Sequence, residues 1–419
     1  MKSKIQLLVY LFVLLFIPLK SLANEMDIEQ KKRLELFFST MRSIGEKMEK
    51  AWSNKNYESI LELNYKAISS LESNSNWLDS VWGKERVINA KGMYHYDIAC
   101  VYSRLNQKEA AHYHLSKAIN YNYNDWKHII SDKDIDNIRS DSRTDSLISI
   151  IRNRADYLYI LQNSPQYSKN ERPDTLPTFT FQPSSNYNLK RVKEYFKLDS
   201  VAGTGDELSK IKRILNYIHN LIKHDGLHNN PKHLNAIELT EACKNGDRGL
   251  NCRGLAIVLN ECYLSMGIPS KYVTCMPKEY INDCHVINSV WSKQLNKWIW
   301  IDPTNNAWVS DENGNLLGIM DVRERLRQNL PVMLNESANW NNQEKLTTEE
   351  YLYNYMAKNL YYFYTPARQE FGCEDISNKN NRNFIYLLPS GFVPKDVNGT
   401  IVNDDFWFWQ GVSKEYYNF

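Results

Sequence analysis

The chain has no excess of either charge. Its 51 Lys and Arg face 49 Asp and Glu, which gives a formal net charge of +2. Such a surface offers no general attraction for a polyanion, so nucleic acid is not expected as the main partner. After the first 23 residues no segment is apolar enough to span a membrane. With 42% hydrophobic residues, the 419-residue chain is expected to form two or three globular domains.

Metal-binding spacings are also missing. The cysteines form no CxxC pair and no His/Cys cluster with zinc spacing, so no structural metal and no cofactor are expected. An odd number of cysteines in an exported protein leaves at least one thiol unpaired, and the pairing of the rest stays open. The seven cysteines are Cys100, Cys243, Cys252, Cys262, Cys275, Cys284 and Cys373.

The N-terminus has the pattern of a secretory signal. Lys2 and Lys4 precede an apolar run at 5–19, and small residues follow at Ser21 and Ala23. Cleavage is expected after Ala23, which would place the mature protein in the periplasm or outside the cell. The alternative is a membrane anchor, for which the apolar run is short.

The segment from Glu25 to Asn163 has no proline and little glycine, and its apolar residues recur at helical spacings. Residues that could pack two close antiparallel helices around a turn at 105–107 are Ile98, Ala99, Tyr102, Asn106, Ala111, Leu115 and Ala118. This pattern resembles a tetratricopeptide repeat. The segments 57–68 and 135–141 resemble a degraded preceding repeat and a closing helix. An unrelated helical bundle is the alternative.

Prolines and polar residues at 165–190 predict an extended linker, and helical periodicity returns at 208–222. A polar region then carries His224, His228 and His233. Three histidines within ten residues raise the possibility of metal binding. No carboxylate or thiol stands at matching spacing, so a solvated loop is the favoured interpretation.

Cys252 stands at the start of a predicted helix. Asn251 is a suitable N-cap, and the helix is expected to end at Gly267, two residues before Pro269. The unpaired N–H groups and the dipole of a helix N-terminus favour a thiolate, and they can also hold an oxyanion. Cys252 is therefore a candidate nucleophile, with a buried core thiol as the alternative.

His285 and Asp302 occupy two predicted strands joined by a short polar connection at 292–297. The number of residues between His285 and Asp302 is even, so an antiparallel hairpin with an even-numbered loop would put both side chains on one face of the sheet. An aspartate there could orient an imidazole that activates Cys252. Taken singly, His285 could be a hydrogen-bonded strand histidine and Asp302 a turn residue, but the order of all three favours a catalytic set.

Residues 205–310 resemble the transglutaminase-like superfamily, a papain-related group of Cys-His-Asp enzymes. The resemblance implies that Cys252 is the nucleophile, His285 the general base and acid, and Asp302 its orienting partner. Ile287 departs from the aromatic residue that many members carry, and no upstream side chain matches the one that completes the oxyanion hole in some members. The matching pieces are GLNCRGLA at 249–256, MGIPSKYV at 266–273, HVINSV at 285–290 and KWIWIDPT at 297–304.

The resemblance limits the reaction to acyl transfer through a thioester, resolved by water or by an amine. The full triad argues against members that only bind, and no segment has the full spacing of a calcium loop. We therefore expect hydrolysis of a peptide or other amide bond. Alternatives are protein-glutamine cross-linking and a silent binding or scaffold protein of the cell envelope. The helical repeats could recruit a protein partner.

The expected fold class is α+β, with a helical repeat-like domain before a domain whose Cys-bearing helix packs on an antiparallel sheet. A helix with an aromatic face is predicted at 347–364, and strand-like runs at 384–388 and 406–409. The terminal aromatic residues could line a groove or close a core. The predicted organisation is a signal peptide (1–23), a helical domain (24–164), a linker (165–190), a catalytic domain (191–365) and an aromatic β-rich extension (366–419).

Overall fold

The computed structural model describes residues 27–168, 176, 178–279 and 283–412, and the predicted signal peptide lies outside them. The chain forms two compact units that divide between Asp156 and Tyr157. Among the described residues, no helix has the length and apolar character needed to cross a bilayer.

The N-terminal unit is built from helices alone in its described part. The 26-residue first helix begins at the N-cap Asp27, whose carboxylate accepts the Gln30 N–H at 2.8 Å. The helices are α1 (Ile28–Ser53), α2 (Tyr57–Ser73), α3 (Ser75–Leu78), a π-helical turn (Asp79–Gly83), α4 (Lys84–Arg104), α5 (Lys108–Asn120), α6 (Trp126–Ser131), a 3₁₀ turn (Lys133–Ile135), α7 (Asp136–Arg139) and α8 (Ser142–Ala155).

Helices α4 and α5 form the antiparallel pair expected from the sequence. Ala99 and Ala111 are fully buried where the two helices approach each other. Asn106 makes the connecting turn, with a positive φ of 57°, and does not pack in the core. The predicted helical, repeat-like character of this region is confirmed.

The C-terminal unit combines helices with a six-stranded sheet. Its helices are α9 (Tyr157–Gln162), α10 (Tyr187–Tyr195), α11 (Leu198–Ala202), α12 (Glu207–Leu221), α13 (Ala236–Glu241), α14 (Cys252–Ser265), α15 (Ile319–Arg327), a π-helix (Glu349–Met356), α16 (Ala357–Asn359), a 3₁₀ turn (Ile376–Asn381) and α17 (Asp405–Phe408). Its strands are β1 (Thr180–Phe181), β2 (Ser270–Met276), β3 (His285–Ser292), β4 (Lys297–Ile301), β5 (Val309–Ser310), β6 (Met333–Leu334), β7 (Asn339–Trp340), β8 (Glu344–Lys345), β9 (Tyr362–Pro366), β10 (Arg368–Gln369), β11 (Phe384–Leu387) and β12 (Thr400–Val402).

The central sheet has the strand order β12-β11-β9-β2-β3-β4. All neighbours pair antiparallel except β11 and β12, which are parallel. Helix α14 is buried from Gly254 to Ser265 and packs against β2 and β3. The Asn288 amide on β3 donates to the Ala256 carbonyl at 3.0 Å, which ties the sheet to the first turns of that helix. The predicted α+β class, with a helix on a mainly antiparallel sheet, is confirmed.

Several elements extend beyond the ranges expected for the catalytic domain. Helix α9 belongs to the C-terminal unit, where Leu161 packs in the same core as Leu326. Strand β1, within the expected linker, pairs with β10. Strands β11 and β12, within the expected extension, complete the central sheet. A strand leaves backbone N–H and C=O groups without hydrogen bonds unless a neighbouring strand pairs with it. Strands β1, β11 and β12 provide this pairing.

Two predicted elements at the C-terminal end differ from the structure. The helix predicted at 347–364 ends at Asn359, and Tyr362 begins the central strand β9. The aromatic run at 406–409 is not a strand: its first three residues lie in the helical turn α17, and Trp409 is the C-cap. The Asp404 carboxylate caps the start of this turn by accepting the Trp407 N–H at 2.8 Å. Trp407 and Phe408 are buried and close a core, whereas Phe406 is 80% exposed.

Candidate active site

Cys252 is the first residue of helix α14. The side-chain oxygen of the N-cap Asn251 accepts the Gly254 N–H at 3.1 Å and an N–H of the Asn230 amide at 2.8 Å. The cap fixes the start of the helix, so the half-buried thiol stands beside the free N–H groups of the first turn. The predicted helix start at this cysteine is confirmed.

The hairpin of β3 and β4 brings His285 and Asp302 together. Ser292 pairs with Lys297 across a four-residue connection. This register puts His285 and Asp302 on the same face of the sheet, at diagonally neighbouring positions. The imidazole Nε2 and the Asp302 Oδ2 atom are 2.7 Å apart, and both side chains are buried. The even-numbered loop assumed from the sequence is present.

The thiol of Cys252 interacts with the imidazole of His285. Burial acts to raise the pKa of Cys252, but the hydrogen bond and the charge of His285 outweigh it and lower that pKa below its usual value. Burial acts to lower the pKa of His285, but the Asp302 carboxylate and the thiol raise it to about 10. The directions of both pKa shifts favour a thiolate–imidazolium pair.

Asp302 is held ionised by several donors. Its Oδ1 atom accepts the Thr304 N–H at 2.8 Å, and Oδ2 accepts the Asn305 amide at 2.9 Å and the Tyr351 hydroxyl at 2.6 Å. Burial would raise the pKa of this carboxyl, but His285, Tyr351 and Asn305 lower it below its usual value. A carboxylate with this many donors is both oriented and charged.

The π-helix at Glu349–Met356 supplies two aromatic residues to the site. Tyr351 donates to Asp302 and accepts the indole N–H of Trp300 at 3.2 Å, while the Tyr355 ring packs edge-on against His285 with ring centroids 5.3 Å apart. The sequence predicted an aromatic helical face here but not what it contacts. Wide helical turns of this kind recur at functional sites.

Replacing Tyr351 with phenylalanine is expected to lower the free energy of unfolding by about 1–3 kcal/mol, because two buried groups lose their partner. Asp302 would lose a donor and the Trp300 N–H its acceptor. Urea unfolding of the full chain measures this change. Tyr353→Phe, on the same π-helix and only partly buried, is the matched control. Equal stability of the two variants would contradict a bonded role for the Tyr351 hydroxyl.

The three histidines expected in a solvated loop occupy different environments. His228 and His233 are 54% and 60% exposed, and each pairs with an aspartate. His224 differs from that expectation. Its side chain is half-buried, its backbone forms a β-bridge with Leu250, and the indole N–H of Trp340 donates to its Nδ1 atom at 3.2 Å. Because Trp340 is 116 residues away, no local pattern could have revealed this contact.

All seven cysteines lie in the described part of the chain and are free thiols. Among the described residues, no three or more His, Cys, Asp or Glu side chains form a group that could hold a metal ion.

The fold and the site define a class of domain in which a thiol at a helix N-terminus faces a histidine and an aspartate on an antiparallel sheet. Residues 195–303 match the sequence model of the transglutaminase-like superfamily, and the C-terminal unit thus contains a transglutaminase-like domain. The match includes all three candidate residues. Neither a curated protein nor a solved structure matches the chain.

Proposed function

We propose that this protein is a thiol-dependent acyl-transfer enzyme that hydrolyses a peptide or other amide bond, with Cys252, His285 and Asp302 as its catalytic residues. One observation carries the proposal: His285 interacts with the thiol and with the buried carboxylate at the same time. A cysteine kept only for packing needs neither a lowered pKa nor an oriented imidazole.

The first half-reaction forms a thioester. The Cys252 sulfur attacks the carbonyl carbon of the substrate, and the carbonyl oxygen becomes an oxyanion beside the N-terminus of helix α14. The carbon–nitrogen bond then breaks, and the His285 imidazolium gives its proton to the leaving amine. Asp302 holds the imidazole in orientation throughout by its 2.7 Å hydrogen bond.

The second half-reaction releases the acyl group. Water attacks the thioester carbon while His285 takes one of its protons, and the carbon–sulfur bond breaks to give a carboxylic acid and the free thiol. An amine that entered in place of water would give a new amide. The same site could therefore cross-link, and the products distinguish the two reactions.

The test combines mass spectrometry with product analysis on the full chain. Incubation with a peptide library and an added primary amine is expected to give cleaved peptides and an acyl adduct on Cys252. Cys252→Ala is expected to abolish both, because the nucleophile is gone. Ammonia release with incorporation of the amine would indicate cross-linking instead. If the wild-type protein forms neither an adduct nor a product, the binding or scaffold function takes the place of the proposed one.

We further propose that the enzyme acts after export, which rests on Lys2, Lys4 and the apolar run at 5–19. Mass analysis of the N-terminus of protein recovered from the exporting cell tests this, and a retained 1–23 segment would contradict it. The helical unit is proposed to recruit a protein partner, which is supported by its antiparallel helix pairs.

A further inference from the structure

A short loop follows strand β4 and holds the carboxylate of Asp302. Asp302 and Ala307 exchange backbone hydrogen bonds at 2.8 and 3.0 Å, which closes residues 302–307 into one loop, called here the Asp302 loop. Within it, Thr304 and Asn305 donate to the two oxygens of the carboxylate. The position of the carboxylate therefore depends on what holds this loop in place.

The ring of His219, near the end of helix α12, contacts the Asp302 loop. Its Nδ1 atom lies 2.9 Å from the Pro303 carbonyl oxygen, and its Nε2 atom lies 3.0 Å from the Oδ1 atom of Asn339. The backbone N–H of Asn339 in turn donates to the Asn305 carbonyl at 2.9 Å. His219, which is only 4% exposed, thus holds the loop directly at Pro303 and through Asn339 at Asn305.

Both oxygens that face this ring are hydrogen-bond acceptors. A backbone carbonyl can only accept. The Asn339 amide has one orientation, because its Nδ2 atom donates to the Ser337 carbonyl at 3.0 Å and its Oδ1 atom accepts the Asn342 N–H at 2.7 Å. A neutral imidazole has one N–H and can bond only one of the two oxygens, whereas an imidazolium donates to both. The contacts of His219 therefore match a ring that carries a proton on each nitrogen.

The surroundings of His219 also favour a positive charge. The residue stands in the last turn of helix α12, where the unpaired carbonyl groups and the helix dipole stabilise a cation. In the two segments that its ring contacts, the Asp302 loop and the turn at 337–342, the one titratable residue is Asp302, whose pKa is lowered. The lysines nearest to His219 on its own segment, Lys212 and Lys223, direct their amines to a tryptophan ring and to a backbone carbonyl.

We propose that His219 is a positioning residue for the reaction and acts as an imidazolium, with both of its N–H groups holding the loop that orients the Asp302 carboxylate. The inference rests on the acyl-transfer function proposed above. When the ring loses one proton, one of the two oxygens faces a lone pair in place of a donor, and the loop loses that contact. The positioning is therefore present at low pH and is lost as the pH rises.

The first test is the protonation of the His219 ring in the full wild-type chain. With ¹⁵N-labelled histidine, NMR spectra near neutral pH are expected to show a proton on both ring nitrogens, with slow exchange because the ring is buried. The signals of this ring are those lost in His219→Gln and shifted in Asn339→Ala. Asn339→Ala removes one acceptor, so the doubly protonated ring is expected to persist over a narrower pH range. A single ring proton near neutral pH in the wild type would overturn the inference.

The second test compares rates of acylation by p-nitrophenyl acetate across pH. His219→Gln has one nitrogen donor in place of two, so below neutral pH it is expected to be about tenfold slower than wild type, within the roughly 100-fold that a small misplacement can cost. The two rates should converge as the pH rises and the wild-type ring loses its proton. The titration of His285 is common to both proteins and does not affect their ratio. His112→Gln is the matched control, because that buried histidine also bridges two partners, at 2.8 and 2.9 Å, but in the helical unit.

The outcomes separate this inference from the function on which it rests. If the wild-type thiol is never acylated by an ester or a peptide, the proposed function fails, while the NMR spectra still decide the protonation of His219. If the wild type is acylated and the ratio of its rate to that of His219→Gln is the same at every pH, His219 supports the fold without acting as an imidazolium. That result would overturn the inference and leave the proposed function standing.

Discussion

Alkylation of Cys252 at pH 6 is expected to slow by at least about 100-fold when His285 is replaced with alanine. An ordinary thiol with a pKa near 8.5 is only about 0.3% thiolate at pH 6, so it reacts slowly there. In the wild type, the lowered pKa of Cys252 and the raised pKa of His285, about 10, keep the ion pair formed through neutral pH. Without the imidazole, burial remains as the dominant influence and raises the pKa of the thiol.

The measurement is the rate of iodoacetamide labelling from pH 5 to pH 10, with the labelled cysteine located by mass. Cys243 is an internal control, because burial raises its pKa and it should stay unlabelled at pH 6. His228→Ala is the control for removal of an imidazole from the same unit. His285→Gln keeps a polar side chain of similar size and should resemble His285→Ala if charge is the cause. Labelling of all variants at the wild-type rate would contradict the ion pair.

The candidate triad could be predicted because its signals are local. An N-cap at Asn251 defines the helix start at Cys252, and a short even-numbered loop sets the facing of two strands. These features depend on neighbours within about twenty residues. The hairpin brings His285 to Asp302, and the packing of helix α14 on the sheet brings Cys252 to this pair.

The parts of the site that could not be predicted depend on distant pairings. Tyr351 contacts Asp302 across 49 residues, and Trp340 contacts His224 across 116. A residue's type indicates which bonds it can make, but not which partner a remote loop will bring. In the sequence His224 therefore looked like one of three similar histidines, although its side chain is half-buried and bonded to Trp340 while those of His228 and His233 are mostly exposed.

Tertiary pairing also overrides periodicity at the C-terminal end. Helical spacing continues past Asn359, but Tyr362 enters a strand whose two edges pair with β2 and β11. Phe408 and Trp409 of the aromatic run at 406–409 pack instead around a buried amine. The Lys271 Nζ atom donates to the Phe408 carbonyl at 2.8 Å and lies within 5.0 Å of four aromatic ring centroids. No local sequence pattern indicates that these aromatic rings will pack around a lysine in a strand.

Replacing Asp302 with asparagine is expected to lower the rate of acylation by about 10³–10⁴-fold, the scale seen when the orienting aspartate of a serine-protease triad is changed in this way. The Oδ2 atom of Asp302 accepts bonds from His285, Tyr351 and Asn305. Asparagine presents an N–H₂ group to donors or leaves the imidazole in the wrong tautomer. Either arrangement removes the charge that holds the His285 pKa high.

The measurement is single-turnover acylation by p-nitrophenyl acetate, followed as the acyl adduct on Cys252. Asp311→Asn is a matched control, because that carboxylate also accepts several bonds but lies in an exposed turn. The pH dependence gives a second readout. With the His285 pKa no longer raised by a carboxylate, the ion pair should break down at a lower pH than in the wild type, so the alkylation profile should shift as well. Acylation within tenfold of wild type, with an unshifted profile, would show that Asp302 supports the fold and does not orient a catalytic histidine.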